Sequence, residues 1–361
     1  MIYLDYQATT PLAPEAREVM IKHLDGPDGT GFGNPHSAHK LGRQAAAAIE
    51  VARDRVAALF PSGGRVIFTG GATEALNLAI RGSGKGGCIA ASAIEHSAVL
   101  DTAAAAGRCH FLSMDSDGTC HPDQVWPQDT RLIAVMQVNN EIGTIQPLEK
   151  WGAFASLRSA LLLVDGVQAY GKMPLDTGAD MIAISAHKFH GPKGVGALWV
   201  RDGVEITEQQ TGGGQEHGLR SGTLSPALIA GMGAAAALAA ERMEEDAAHV
   251  EALWERAREL FADWTLNGSA RERYRGNLNL RKDGVDVARL MSEARHIMFS
   301  AGSACASGSG RPSHVLKAIG LTDAEVKSSI RLGFGRYTSL EELEEAAQSI
   351  NNAVQQQSLW G

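Results

Sequence analysis

The sequence has no apolar run long enough to cross a bilayer: nothing in it approaches the ~18 consecutive apolar residues a spanning helix takes. The nearest, the alanine-rich stretch 227–240, is broken by Gly231 and Gly233 and followed at once by Glu241 and Arg242. The opening residues Met1-Ile-Tyr-Leu-Asp-Tyr6 lack the basic start and apolar core of a secretion signal. A cytoplasmic protein without a membrane partner is therefore expected. Positive charge is in deficit too. With 33 basic against 41 acidic residues the net charge is -8, which lends no support to a nucleic-acid partner. Cysteine is scarce: Cys88, Cys109, Cys120 and Cys305 form no CxxC pair, and a reducing compartment excludes a disulfide framework. Cys109-His110 and Cys120-His121 match no usual zinc spacing, so no metal centre is expected.

What is present is the composition of an α/β enzyme, with 44% hydrophobic residues, 20% charged and 41 glycines for tight turns. A chain of 361 residues is long for a single core, so a large domain plus a smaller one is expected. Pro14 and Glu15 suit the first turn of a helix running to about His23. Ser37 could cap a long helix through Ala58. Residues 65–69 read as a strand, followed by Gly70-Gly-Ala-Thr73 and a helix from Glu74 to about Arg81. Short apolar runs recur at 88–91, 132–138, 161–164, 181–185 and 197–200. Separated by helical segments, they predict strands buried on both faces of a mostly parallel sheet. From Pro226 to about Trp264 the pattern is helical, turning charged at Glu241. Strand candidates follow at 277–281, 297–300 and 330–334, then a helix over 340–354. This predicts a large domain over 15–250 and a smaller α+β domain made of 1–14 and 251–361.

Two predicted strands carry the chemistry. One ends in Asp165 and the other runs into Ser185-Ala-His-Lys188. In an open parallel sheet the ligand crevice lies at the carboxyl ends of the strands, so Asp165 and Lys188 meet there if their strands are neighbours. Pyridoxal phosphate (PLP) chemistry needs such a pair: a lysine to hold the aldehyde as a Schiff base, and a carboxylate to keep the pyridine nitrogen protonated. Taken singly, Lys188 reads equally as a solvated loop lysine and Asp165 as a helix cap. Gly70-Gly-Ala-Thr-Glu74, between a strand and a helix, offers free N–H groups to a phosphate, and a plain capping turn is an equal reading. Gly82-Ser-Gly-Lys-Gly-Gly87 leads into a strand and lacks Ser or Thr after the lysine; it reads as a turn and not a P-loop. Cys305 lies in a run of small residues, 300–313, without periodicity, which predicts an accessible loop; the other three cysteines sit in patterned segments.

These motifs, with Tyr3-Leu-Asp-Tyr-Gln-Ala-Thr-Thr-Pro11, Gly33-Asn-Pro35, Glu95-His96, Val138-Asn-Asn-Glu-Ile-Gly143, Gln168, Gly191-Pro-Lys-Gly194, Gly212-Gly-Gly214, Arg220-Ser-Gly-Thr223, Gly302-Ser-Ala-Cys305 and Ser328-Ser-Ile-Arg331, stand in one order along almost the whole chain. The sequence resembles the NifS/IscS-type cysteine desulfurases, a class V aminotransferase group of fold-type I PLP enzymes. The resemblance implies that Lys188 carries PLP, Asp165 faces the pyridine nitrogen and His96 stacks on the ring. Without it, His96 would read as an ordinary surface or core histidine. It further implies that Gln168 bonds the phenolic oxygen and that Ala72, Thr73, Ser185 and His187 surround the phosphate. Thr223 would reach the phosphate of a second subunit, so a homodimer is implied. Asn140 and Arg331 would hold the carboxylate of L-cysteine, a task suited to the planar guanidinium fork. Lys188 or His96 would take the α-proton, and the Cys305 thiolate would receive the sulfur while alanine leaves. A sulfur-acceptor protein, such as an Fe–S scaffold, is then the expected partner. The chain departs from the pattern at Gly166, Ala186 and Gly70, where the family has Ala, Gly and Ser. It also stops at Ser358-Leu-Trp-Gly361, short of the tail by which housekeeping IscS enzymes dock their scaffold. A class V aminotransferase or selenocysteine lyase would share Asp165 and Lys188, and a non-catalytic scaffold on the same fold is a further alternative.

Overall fold

The structure is a computed structural model, and it describes residues 1–175, 178–302 and 312–360. Cys305 lies outside the described residues. In chain order the first elements are β1 (Ile2–Tyr3), α1 (Pro14–Ile21), α2 (Lys40–Ala57), β2 (Gly64–Thr69), α3 (Ala72–Gly82), β3 (Cys88–Ser92), α4 (Ser97–Ala106) and β4 (Cys109–Leu112). Then come β5 (Thr130–Ala134), α5 (Leu148–Arg158), β6 (Leu161–Asp165), β7 (Met181–Ser185), β8 (Gly196–Arg201) and α6 (Pro226–Leu260). The last are β9 (Thr265–Leu266), β10 (Asn277–Arg281), α7 (Val287–Glu293), β11 (Ile297–Met298), β12 (Ser300–Ala301), α8 (His314–Ala318), α9 (Asp323–Lys327), β13 (Ser329–Gly333) and α10 (Leu340–Trp360).

Seven strands form the main sheet in the order β2-β8-β7-β6-β5-β3-β4. Only β8 runs against its neighbours, and the remaining pairings are parallel. Parallel strands require crossovers that cover both faces, which is why β3 and β7 are buried along their whole length and read as continuous apolar runs. Alternate residues serve alternate faces. Val66, Phe68, Leu162, Val164, Ile182 and Ile184 pack beneath α2 and the first half of α6. Ile67, Leu163, Met181 and Ala183 pack beneath α3 and α4. Each of the larger of these side chains contributes roughly 1.5–3 kcal/mol of burial.

A second, antiparallel sheet has the order β12-β13-β10-β9. Its core takes Val250, Leu253 and Trp254 from the far half of α6 and Leu343, Ala347 and Ile350 from α10. Strand β1 pairs in parallel with β11, so Ile2 and Leu4 join this second core. Residues just after β1 are thereby carried to the edge of the main sheet, where Thr10 N–H bonds the carbonyl of His187 at 2.9 Å.

Several boundaries differ from the sequence pattern. His39 caps α2 in place of Ser37: its Nδ1 accepts from Gly42 N–H at 3.3 Å. The run 132–138 keeps strand form only to Ala134, because Met136 N–H turns from the sheet to Glu95 Oε1 at 2.7 Å. Residues 297–300 split in two; Ile297–Met298 pairs with β1 and Ser300–Ala301 with β13. Helix α6 stops at Leu260, where Phe261 leaves helical geometry, instead of reaching Trp264. Residues 83–87 form the turn into β3, as expected, with positive φ at Gly84, Gly86 and Gly87.

Candidate active site

Strands β6 and β7 pair in parallel with Asp165 opposite Ala183, so Asp165 and the turn after Ser185 open on the same edge of the sheet. A cavity of about 810 Å³ lies there. Into it come Asp165 and Gln168 from the end of β6, and Ser185, His187 and Lys188 from the end of β7. Ala72 and Thr73 line it from the start of α3, His96 from the start of α4, Asn140 from the segment after β5, and Arg331 from β13 of the second sheet. Ten of the residues singled out in the sequence thus share one cavity. Thr223 is exposed and does not line it.

Lys188 is held from the amino-terminal segment. Its Nζ donates to the carbonyls of Gln7 at 2.5 Å and Ala8 at 2.9 Å. Burial, reinforced by the Arg331 guanidinium, brings its pKa down to about 8, while Asp165 and Asp5 pull the other way. Asp165 is 6% exposed, and its Oδ1 accepts from Val167 N–H at 2.9 Å. Burial raises its pKa, against the pull of the Val167 N–H and of the His96 and Lys188 side chains. His96 caps α4, accepting from Ala98 N–H at Nδ1 (3.1 Å), which places the proton of the neutral ring on Nε2. Gln168 donates from Nε2 to the Gln7 carbonyl at 3.0 Å and accepts from Lys172 Nζ at 3.2 Å. Burial, and secondarily Lys188, drops the His187 imidazole to about 4, and its Nδ1 lies 3.1 Å from Thr9 Oγ1.

The turn before α3 is shaped for an anion. Gly71 has φ +153° and lies against β8; a Cβ on Gly196 there would meet Ile184 O at 2.5 Å and Gly71 C at 2.7 Å. The first helical N–H groups, at Ala72 and Thr73, have no acceptor within the helix. Gly70 sends its N–H to Glu74 Oε2 at 2.7 Å, and Glu74 is paired with Arg220 at 2.7 Å.

Arg331 is 9% exposed. Its Nη2 bonds Asp5 Oδ1 at 2.7 Å and Ser300 Oγ at 2.9 Å, and its Nη1 bonds the Asn140 carbonyl at 3.1 Å. Its Nε is buried without a hydrogen-bond partner among the described residues. Sequence reasoning missed Asp5, Gln7 and Ser300, which hold Arg331 and Lys188 from far away in the chain. It also missed Glu95, fully buried behind His96 and pushed up by that burial to about 8. The Tyr3-Leu-Asp-Tyr-Gln7 motif was the available signal, since nothing local to it needs a half-buried aspartate.

The arrangement fits pyridoxal phosphate. A buried carboxylate with a single hydrogen bond calls for a cation such as a pyridinium. A lysine near pKa 8 is available as a neutral amine for an aldehyde, and the α3 amino terminus faces the same space. Among the described residues no cluster of metal-ligating side chains occurs, and no helix is long and apolar enough to cross a membrane.

The sequence model of the family described as aminotransferase class-V matches residues 2–345. The chain belongs to the class-V aminotransferase family. The cysteine desulfurase IscS of Colwellia psychrerythraea strain 34H is 41% identical over 378 residues, covering 98% of this chain and 92% of that protein. Among solved structures, a NifS-like protein superposes with a TM-score of 0.89 at 30% identity, covering 98% of this chain and 99% of the other. A structure described as SspA in complex with cysteine gives a TM-score of 0.79 at 34% identity, covering 94% and 100% of the two chains. The fold is therefore the α/β fold of the NifS-like proteins, as the order of motifs implied.

Proposed function

We propose that this chain is a PLP-dependent cysteine desulfurase that converts L-cysteine to L-alanine and takes the sulfur as a persulfide on Cys305. The observation that carries the reading is the meeting of Lys188, Asp165 and Arg331 in one cavity, in a chain 41% identical to a cysteine desulfurase over nearly its whole length. The cofactor, when bound, supplies an electron sink for the substrate's α-carbon. The chain's own residues do the rest. Lys188 holds the cofactor aldehyde at rest, and Asp165 keeps the proton on the pyridine nitrogen. The N–H groups of Ala72 and Thr73, with the side chains of Thr73, Ser185 and His187, receive the phosphate. Gln168, its amide oriented by Lys172 and the Gln7 carbonyl, donates to the phenolic oxygen.

Arg331 and Asn140 bind the substrate carboxylate. Asp5 and Ser300 fix the guanidinium so that its planar donors face the cavity. The α-proton goes to Lys188. Its amine is neutral in a useful fraction near neutrality, whereas the free nitrogen of His96 already carries a hydrogen and acts as a donor. The Cys305 thiolate attacks the substrate sulfur and the C–S bond breaks. The electron pair returns to carbon, which takes a proton, so that cysteine plus thiol become alanine plus persulfide. Residues 15–250 would form the cofactor domain; 1–14 with 251–361 would form the smaller domain that carries Cys305. In the homodimer Thr223 would reach the partner's phosphate. The persulfide would pass to an acceptor protein in the cytoplasm, with Fe–S cluster assembly one destination.

The test is to supply L-cysteine and dithiothreitol to the holoenzyme and quantify alanine and sulfide. Equal amounts of both, abolished in Lys188→Ala, are expected. Formation of a keto acid without alanine or sulfide overturns the reading in favour of transamination.

A further inference from the structure

A second cavity, of about 240 Å³, lies between the main sheet's core and the second core, outside the site that holds Lys188. Its lining is cationic. Lys172, Arg273, Arg275 and Arg336 face two carboxylates, Asp246 and Glu251. Both carboxylates are already engaged: Asp246 with Arg336 at 2.6 Å, and Glu251 with Arg275. The lining's one histidine, His190, brings no positive charge near neutrality, because burial holds it at about 4. Lys172 and Arg273 have no carboxylate partner among the described residues.

Arg273 is 4% exposed. Its Nε and Nη1 bond carbonyls only, those of Asn277 at 3.1 Å, Asn267 at 3.0 Å and Ser269 at 2.7 Å. Its Nη2 is buried with no hydrogen-bond partner among the described residues, as is Nη1 of Arg336, and its guanidinium lies 5.2 Å from the centre of the Trp254 ring. Lys172 Nζ has Gln168 Oε1 at 3.2 Å and the ring of Tyr274 at 5.1 Å. A cation taken from water and left without a counter-ion costs several kcal/mol. Burial accordingly brings Lys172 down to about 7. Two cations without a carboxylate partner among the described residues, lining one cavity together with the guanidinium groups of Arg275 and Arg336, are what a small anion would satisfy.

We propose that this cavity is a binding site for a small inorganic oxyanion of the sulfate or phosphate kind, held by Lys172, Arg273 and Arg336. The site backs onto the cofactor cavity through Lys172, whose hydrogen bond to Gln168 crosses the wall between them. Its occupancy therefore also fixes the charge on the lysine that orients Gln168. The proposal stands independently of the desulfurase reading, because binding is measured without turnover.

Crystals of the holoenzyme soaked in selenate are expected to show an anomalous peak within hydrogen-bond distance of Lys172 Nζ and of a guanidinium nitrogen of Arg273 or Arg336. In calorimetry on the holoenzyme at constant ionic strength, sulfate and phosphate are titrated separately. At least one is expected to bind with one site per chain, and Lys172→Met is expected to weaken that binding at least tenfold. Arg336→Gln, which leaves the buried Arg273 in place, is a second variant expected to weaken it. A selenate-soaked crystal with peaks elsewhere but none in this cavity overturns the proposal. So does sulfate and phosphate affinity unchanged in both variants, or a side chain of a second copy lying in the cavity.

Discussion

Raising the pH from 7 to 9 is expected to speed the loading of pyridoxal phosphate into the apo-protein about tenfold, with no further gain above pH 9. Only the neutral amine of Lys188 attacks the aldehyde, and burial with Arg331 brings its pKa to about 8. At pH 7 about one molecule in eleven then carries the neutral amine, and at pH 9 about ten in eleven. A lysine at its ordinary value near 10.4 would be neutral in about one molecule in 2,500 at pH 7. The site thus favours the reactive form by roughly 3 kcal/mol. Loading is followed by the growth of the cofactor's visible absorbance after mixing. The neighbours give the sign of two controls. Arg331→Gln removes a positive charge and moves the midpoint up, whereas Asp5→Asn removes a negative one and moves it down. A rate that climbs about a hundredfold between pH 7 and 9 without levelling refutes the reasoning, as does a midpoint that falls in Arg331→Gln.

Two further expectations concern the frame around the site. Glu216 accepts from Arg53 at 2.7 and 2.8 Å and from Phe68 N–H at 2.6 Å, tying α2 and the loop before Thr223 to the strand that runs into the phosphate turn. Glu216→Ala leaves the buried Phe68 N–H unmatched and Arg53 with the exposed Glu50 as its remaining counter-ion, a loss of about 2 kcal/mol in urea unfolding at unchanged slope; a loss below about 1 kcal/mol contradicts it. Glu95 keeps its proton to about pH 8 when folded, while the unfolded carboxyl releases it near 4.5. The folded state therefore holds the extra proton between those values, and stability falls as pH rises from about 5 to 8. Glu95→Gln is expected to flatten that fall in denaturation measured at the two pH values, and an identical slope in both proteins would count against it.

The central strands were legible because they are buried on both faces and read as uninterrupted apolar runs; β6, β7 and β8 lie within a residue or two of their expected limits, whereas the half-exposed edge strand β4 has no such run and was not expected. The pairing of Asp165 with Lys188 followed from two neighbouring parallel strands ending at one edge. What escaped were contacts without local periodicity. Arg331 meets Asp5 across 326 positions and Lys188 meets the Gln7 carbonyl across 181, and no window of sequence holds both partners. Glu95 escaped for another reason. Its carboxyl group ends a strand by accepting from Met136 N–H, so an apolar run that looks like seven strand residues stops at Ala134. At α2 the competition between two adjacent capping side chains was settled by geometry, His39 reaching Gly42 N–H while Ser37 N–H bonds back to Asn34.

In the proposed reaction Lys188 would hold the cofactor, and the destination of the sulfur rests on Cys305. The direct measurement is mass spectrometry of the purified holoenzyme after exposure to L-cysteine, digested without reductant. The account predicts one additional sulfur on the Cys305 peptide and none on the peptides of Cys88, Cys109 or Cys120, with Cys305→Ser retaining the yellow cofactor and gaining no sulfur. Normal alanine formation by Cys305→Ser, or the added sulfur on another cysteine, would contradict it.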